Sequence, residues 1–163
     1  MQRQNKMNDY LNLVVIPNFH CGNAIIDMSK VAYVKKTTYG NRNTCGVTTT
    51  LFQFSKDKYI YTIPEFDLKR FINSLPDSSF VKEGGPLLLV FDVKGDPVLI
   101  NFDMVSSIST ISPDSKKGKR TIVNFDGDMA PLFISSDVPS VLRELRKDDV
   151  VLNVGVELET VEV

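Results

Sequence analysis

The chain has 163 residues, of which 42% are hydrophobic and 24% charged. That is enough apolar material for a packed core and too much for a disordered chain, while no window reaches the roughly 18 apolar residues that crossing a bilayer requires. The net charge of −1 hides an asymmetry: residues 1–82 carry 11 Lys and Arg against 6 Asp and Glu, and residues 83–163 carry 8 against 14. Oppositely charged halves argue against a general polyanion binder and favour head-to-tail self-association.

Residues 1–12 are expected to form an N-terminal segment, and nothing near them resembles a signal-peptide cleavage site. The first unit, residues 13–75, opens with the apolar strand VVIPNF and turns at Gly22 into NAIIDMSKV, which ends on Val31. A polar, basic loop follows at 35–46 (KKTTYGNRNTCG), then the strand TLFQF, a Lys/Asp turn (SKDK) and the strand YIYTI. Leu68, Phe71, Ile72 and Leu75 then recur at i, i+3, i+4, i+7, the spacing of one apolar helix face. Pro64 suits the first turn of that helix. Residues 76–86, rich in Pro, Ser and paired Gly84–Gly85, read as a linker.

Residues 87–147 repeat the plan. LLVFDV turns at Gly95 into DPVLINFDMV, ending on Val105; a basic loop at 113–120 (PDSKKGKR) precedes TIVNF, a Gly/Asp turn (DGDM) and APLFI. The second helix pattern is Val138, Val141, Leu142 and Leu145, with Ser135, Ser136 or Asp137 as its cap and Pro139 just inside. The expected architecture is therefore α+β, mostly antiparallel strand, in two tandem β-β-β-β-α units. Residues 148–163 break the repeat. Val150, Leu152, Val154, Val156 and Leu158 alternate with polar positions, the signature of a half-buried extra strand, and this strand needs an edge to pair with, in its own chain or another.

The second unit resembles the FlbD-like family of small flagellar and swarming-motility proteins, and segments like it also resemble uncharacterised phage proteins. The pattern consists of a turn glycine, the segment Leu99, Ile100, Asn101, Phe102, Asp103, Met104, Val105 and Ile108, a polar loop, a T-hhhF-D-G strand and turn, and a terminal short helix. It spans about 50 residues and reaches the first unit only faintly. The resemblance implies a compact β-rich interaction unit of a regulatory or accessory protein, with no catalytic residues to transfer.

Candidate chemistry is sparse. His20 is the only histidine and neighbours Cys21, but adjacent strand residues point to opposite faces, and with Cys45 the chain lacks the spacing of a zinc site. Asp126–Gly127–Asp128 reads as a hairpin turn because the later ligands of a calcium loop are absent. No phosphate-cradling loop, serine elbow or carboxylate pair appears, so neither an enzyme nor a cofactor or metal is expected. Two cysteines in a chain this long argue against a disulfide scaffold and fit a reducing, cytoplasmic setting, with virion association as the alternative location. Two features point to binding. The strand Val150, Leu152, Val154, Val156 and Leu158 suits a protein partner or self-association. Lys35, Lys36, Tyr39 and Arg42 in one basic loop, with Lys116, Lys117, Lys119 and Arg120 in the other, suit phosphates or an acidic partner. The leading expectation is a non-enzymatic protein-binding or assembly module, a phage-encoded accessory subunit or a modulator of a host complex. The alternative is a nucleic-acid-binding modulator acting through the two basic loops.

Overall fold

The computed structural model describes residues 13–17, 22–39, 47–54, 60–111, 120–127 and 129–145, some strand-end residues among them by backbone alone. The described elements, in chain order, are β1 (Leu13–Pro17), β2 (Asn23–Asp27), β3 (Val31–Tyr39), β4 (Val47–Phe54), β5 (Ile60–Pro64) and helix α1 (Leu68–Ser74). They continue with β6 (Leu87–Phe91), β7 (Pro97–Asn101), β8 (Val105–Ile111), β9 (Arg120–Phe125), β10 (Leu132–Ile134) and helix α2 (Val138–Arg143). The chain is β-rich, antiparallel and of the α+β class, as expected. The C-terminal strand pattern, both cysteines and His20 lie outside the described residues.

Among the described residues each half holds five strands where four were expected. The run NAIIDMSKV is split by a 3-10 turn at Met28–Lys30, and its second part continues through Lys35 and Lys36 as β3. The break has a local cause. Asp27 accepts a hydrogen bond from the Ser29 N–H at 3.0 Å, folding the backbone out of the extended state. Asn101 does the same for the Asp103 N–H at 3.1 Å, between β7 and β8. Beyond the turn, the Thr-rich stretch of β3 pairs along nearly its whole length with the Thr-rich β4, which draws the supposed loop into the sheet.

The strands form a five-stranded sheet in the order β5-β4-β3-β7-β6, a three-stranded sheet β10-β9-β8 and the hairpin β1-β2. The central sheet thus joins strands from both halves, with β3 pairing β7 through Tyr33–Ile100, Val34–Leu99 and Lys35–Val98. Both of its faces are covered. Leu87, Leu99, Val34 and Phe52 point into one core with Ile16 and Ile26 of the hairpin and Leu68, Ile72 and Leu75 of α1. Leu88, Val90, Val98 and Ile100 point into a second core with Val123, Phe125, Leu132 and Ile134 of the three-stranded sheet and Val141 of α2. Alternate residues of β6 and β7 therefore serve opposite cores. This is why LLLV and PVLI are continuous apolar runs rather than alternating ones. Full burial of each such side chain contributes about 1.5–3 kcal/mol.

The two halves match in register as well as in element order. In the first hairpin Leu13 faces Asp27; in the second Leu87 faces Asn101. The ladder irregularity at Val31/Tyr33 of β3 recurs at Val105/Ser107 of β8. Each later position lies 74 residues after its counterpart. Both helices are capped by an aspartate three residues before the N–H it accepts, Asp67 for Arg70 and Asp137 for Ser140. Pro64, expected in the first helical turn, is instead the last residue of β5.

The segment 76–86, expected as a linker, is packed. It forms two 3-10 turns, buries Val81 and bridges Phe80 to Leu87. Gly85 is required there, since a Cβ would stand 2.2–2.3 Å from the backbone of Ser78 and Ser79.

Candidate functional site

The β1-β2 hairpin is the one described sheet with two strands only, so the edges of both strands are unpaired among the described residues. Its inner face, Val14, Ile16, Ala24 and Ile26, packs into the first core. Its outer face carries Leu13, Val15 and Ile25, which are 46%, 66% and 70% exposed. Val15 and Ile25 face each other directly across the hairpin, so these side chains form one patch rather than scattered points. Asp27 at the hairpin's end is engaged by Ser29, through both the backbone N–H and a 2.6 Å hydroxyl contact.

The corresponding hairpin of the second half shows what such a face can do. Leu87, Leu89 and Leu99 occupy the positions of Leu13, Val15 and Ile25. Leu87 and Leu99 are buried in the first core, Leu89 packs against it, and the β7 edge is taken up by β3. The same topological surface is therefore covered once and left open once. The receiving strand shows the complementary asymmetry. β3 accepts β7 along one edge and β4 along the other, whereas β8, its counterpart, is paired only with β9 among the described residues. On the helices, Leu68, Ile72 and Leu75 of the first half are buried, while Val138, Leu142 and Leu145, at matching distances from their capping aspartates, are only half-buried.

Sequence reasoning missed this patch, although a signal was present. Leu13–Ile16 is a run of four apolar residues, as Leu87–Val90 is. A strand apolar on both faces needs cover on both.

Of the residues singled out in the sequence, Lys35 and Lys36 lie in β3 rather than in a loop, and as consecutive strand residues they leave opposite faces of the sheet. Tyr39 ends β3 and Arg120 begins β9, both described by backbone only. Arg42, Lys116, Lys117 and Lys119 lie outside the described residues, as do Val150, Leu152, Val154, Val156 and Leu158. Lys35 and Lys36 border a cleft of about 530 Å3 together with Lys94, Asp92, Asp96, Tyr33 and Phe133. Three lysines thus line it beside two aspartates. The Asp92 carboxylate is committed to the turn, accepting the Lys94 and Asp96 N–H groups at 2.8 and 2.9 Å.

Asp126–Gly127 forms a turn with Gly127 at φ +82°, in keeping with the hairpin reading. Among the described residues no group of three or more His, Cys, Asp or Glu could hold a metal, and no helix is long and apolar enough to cross a membrane. Comparison of the chain with protein-family models, with curated proteins and with solved structures finds no match.

Proposed function

We propose that the chain is a non-enzymatic protein-binding or assembly module made of two copies of one β-rich unit, and that it binds through the outer face of the β1-β2 hairpin. The constant 74-residue offset of the hairpins, the 3-10 turns and the ladder irregularities supports the duplication. One observation carries the binding role: a face buried in the second unit's hairpin is solvent-exposed in the first unit's, at Leu13, Val15 and Ile25. Monomeric proteins seldom keep a contiguous apolar patch beside open strand edges, because such a surface recruits partners. An accessory role of the kind that the FlbD-like pattern implies fits a module of this size.

The test is a photo-crosslinking residue introduced at Ile25, with the exposed Lys69 of α1 as control. Protein adducts at Ile25 and few at Lys69 are expected. If Ile25 gives no adduct with any protein, itself included, the binding reading is refuted.

A further inference from the structure

We infer that the partner of the β1-β2 hairpin is a second copy of this chain, bound head to tail, with β2 of one copy adding to the edge of β8 that has no partner among the described residues of the next. The inference rests on the assembly reading above and goes further by naming the occupant and the register.

The junction inside the chain is the template. There the second unit's hairpin offers its β7 edge to β3 and lays Leu87, Leu89 and Leu99 against a surface that includes Leu68, Ile72 and Leu75 of α1. Each component of that junction has a counterpart that is not fully covered among the described residues. The offering side is β2 with Leu13, Val15 and Ile25. The receiving side is β8 with Val138, Leu142 and Leu145 of α2, all three only half-buried, with Ile108 of β8 and Leu145 packed in part against the second core. Putting β8 in place of β3 and β2 in place of β7, each at the 74-residue offset, sets Ser107 opposite Ile26 of the second copy, Ile108 opposite Ile25 and Ser109 opposite Ala24.

The two open surfaces cannot meet within one chain. The hairpin packs on one face of the central sheet and the β8-β9-β10 sheet on the other. A surface offered at one end and received at the other makes a heterologous contact, which closes into a ring or grows as a filament. No catalytic or ligand chemistry is involved. The contact consists of a backbone ladder with apolar side chains behind it, the mode by which an added strand extends a sheet edge.

The experiment is a complementation of two broken full-length chains, followed by mass-resolved size-exclusion chromatography. The head variant is Val15→Asp with Ile25→Asp, both at exposed positions. The tail variant is Ile108→Asp, with Leu142→Asp as a second version should the first melt early; circular dichroism establishes that each is folded. The wild-type chain is expected above its monomer mass of 18.3 kDa, and each variant alone at that mass. Mixing head and tail variants is expected to restore one intact contact, giving a 1:1 complex of about 37 kDa that grows no further, twice 18.3 kDa.

A wild-type chain that stays monomeric at its highest soluble concentration overturns the inference. So do folded variants that keep the wild-type mass, and a mixture that forms no heterodimer. If the mixture fails while Ile25 still crosslinks to a different protein, self-association falls and the binding reading stands. If both experiments are blank, both fall.

Discussion

Leu99 and Ile25 occupy matching positions on the outer faces of the two hairpins, yet Leu99 is 1% exposed and Ile25 70%. Truncating each to alanine therefore tests the burial difference with nearly constant chemistry. Leu99→Ala removes atoms from the first core, where Leu99 belongs with Val34 and Phe52. Core truncations of this kind cost about 2–5 kcal/mol, because the cavity adds to the lost transfer energy. For a chain of this length that corresponds to a fall in Tm of about 4–20 °C. Ile25→Ala removes about three methylene equivalents that are mostly in water already. At about 0.8 kcal/mol each, scaled by the buried fraction, the loss is about 0.7 kcal/mol. The assay is thermal and urea denaturation followed by circular dichroism on dilute protein. At high concentration, a contact through Ile25 adds stability by mass action, so the Ile25→Ala deficit should widen as protein is added. Equal losses for the two variants in dilute solution would show that the first hairpin's outer face is already covered within the monomer, and would refute the reasoning.

Thr50 is fully buried and its Oγ1 has no hydrogen-bond partner, so Thr50→Val should raise stability by about 1 kcal/mol in the same melts; a loss of similar size would mean that the hydroxyl is satisfied. Gly85→Ala drives a Cβ into the backbone of Ser78 and Ser79, which cannot move aside as a side chain can, so a loss of at least about 1–3 kcal/mol is expected in urea unfolding. The hydrogen bonds from Ser140, and the nearby Arg143, hold the Asp137 carboxyl below its ordinary value of 3.8. A carboxyl depressed in the folded state stabilises the protein above its unfolded value and loses that contribution as pH falls through the folded one. Asp137→Ala should accordingly cost about 1 kcal/mol at neutral pH. The gap between variant and wild type should close in acid, as read by melts across a pH series.

Much of the fold was legible because local signals and packing agree. The i, i+3, i+4, i+7 spacing of Leu68, Phe71, Ile72 and Leu75 marked α1, and an aspartate cap ends the extended chain before each helix. The missed strand had a different cause. Lys35 and Lys36 looked like loop residues by charge, yet β3 lies between β4 and β7, and a strand with partners on both sides is held by its ladder whatever its side chains prefer. Segment 76–86 was misread because Pro, Ser and Gly outweighed Phe80 and Val81, the apolar pair that anchors it. The hairpin patch was hidden for a further reason. Period-two reasoning tells which face of a strand is apolar, and it does not tell whether an apolar second face finds its cover inside the chain.

Charge and contact separate in the head-to-tail arrangement, and salt distinguishes them. The net charges of the two parts of the chain, +5 over residues 1–82 and −6 over 83–163, attract a head toward a tail over distances up to about a Debye length, about 8 Å at physiological ionic strength. The contact itself pairs Ala24, Ile25 and Ile26 with Ser107, Ile108 and Ser109, none of which is charged. Charge should therefore set how fast copies meet, while backbone pairing and apolar burial set how firmly they hold. Raising salt from about 0.05 to 1 M should slow association several-fold in a stopped-flow light-scattering trace and leave the final mass unchanged. An oligomer that dissociates in high salt would be held by its charges, and the β2-to-β8 edge would then not be what joins the copies.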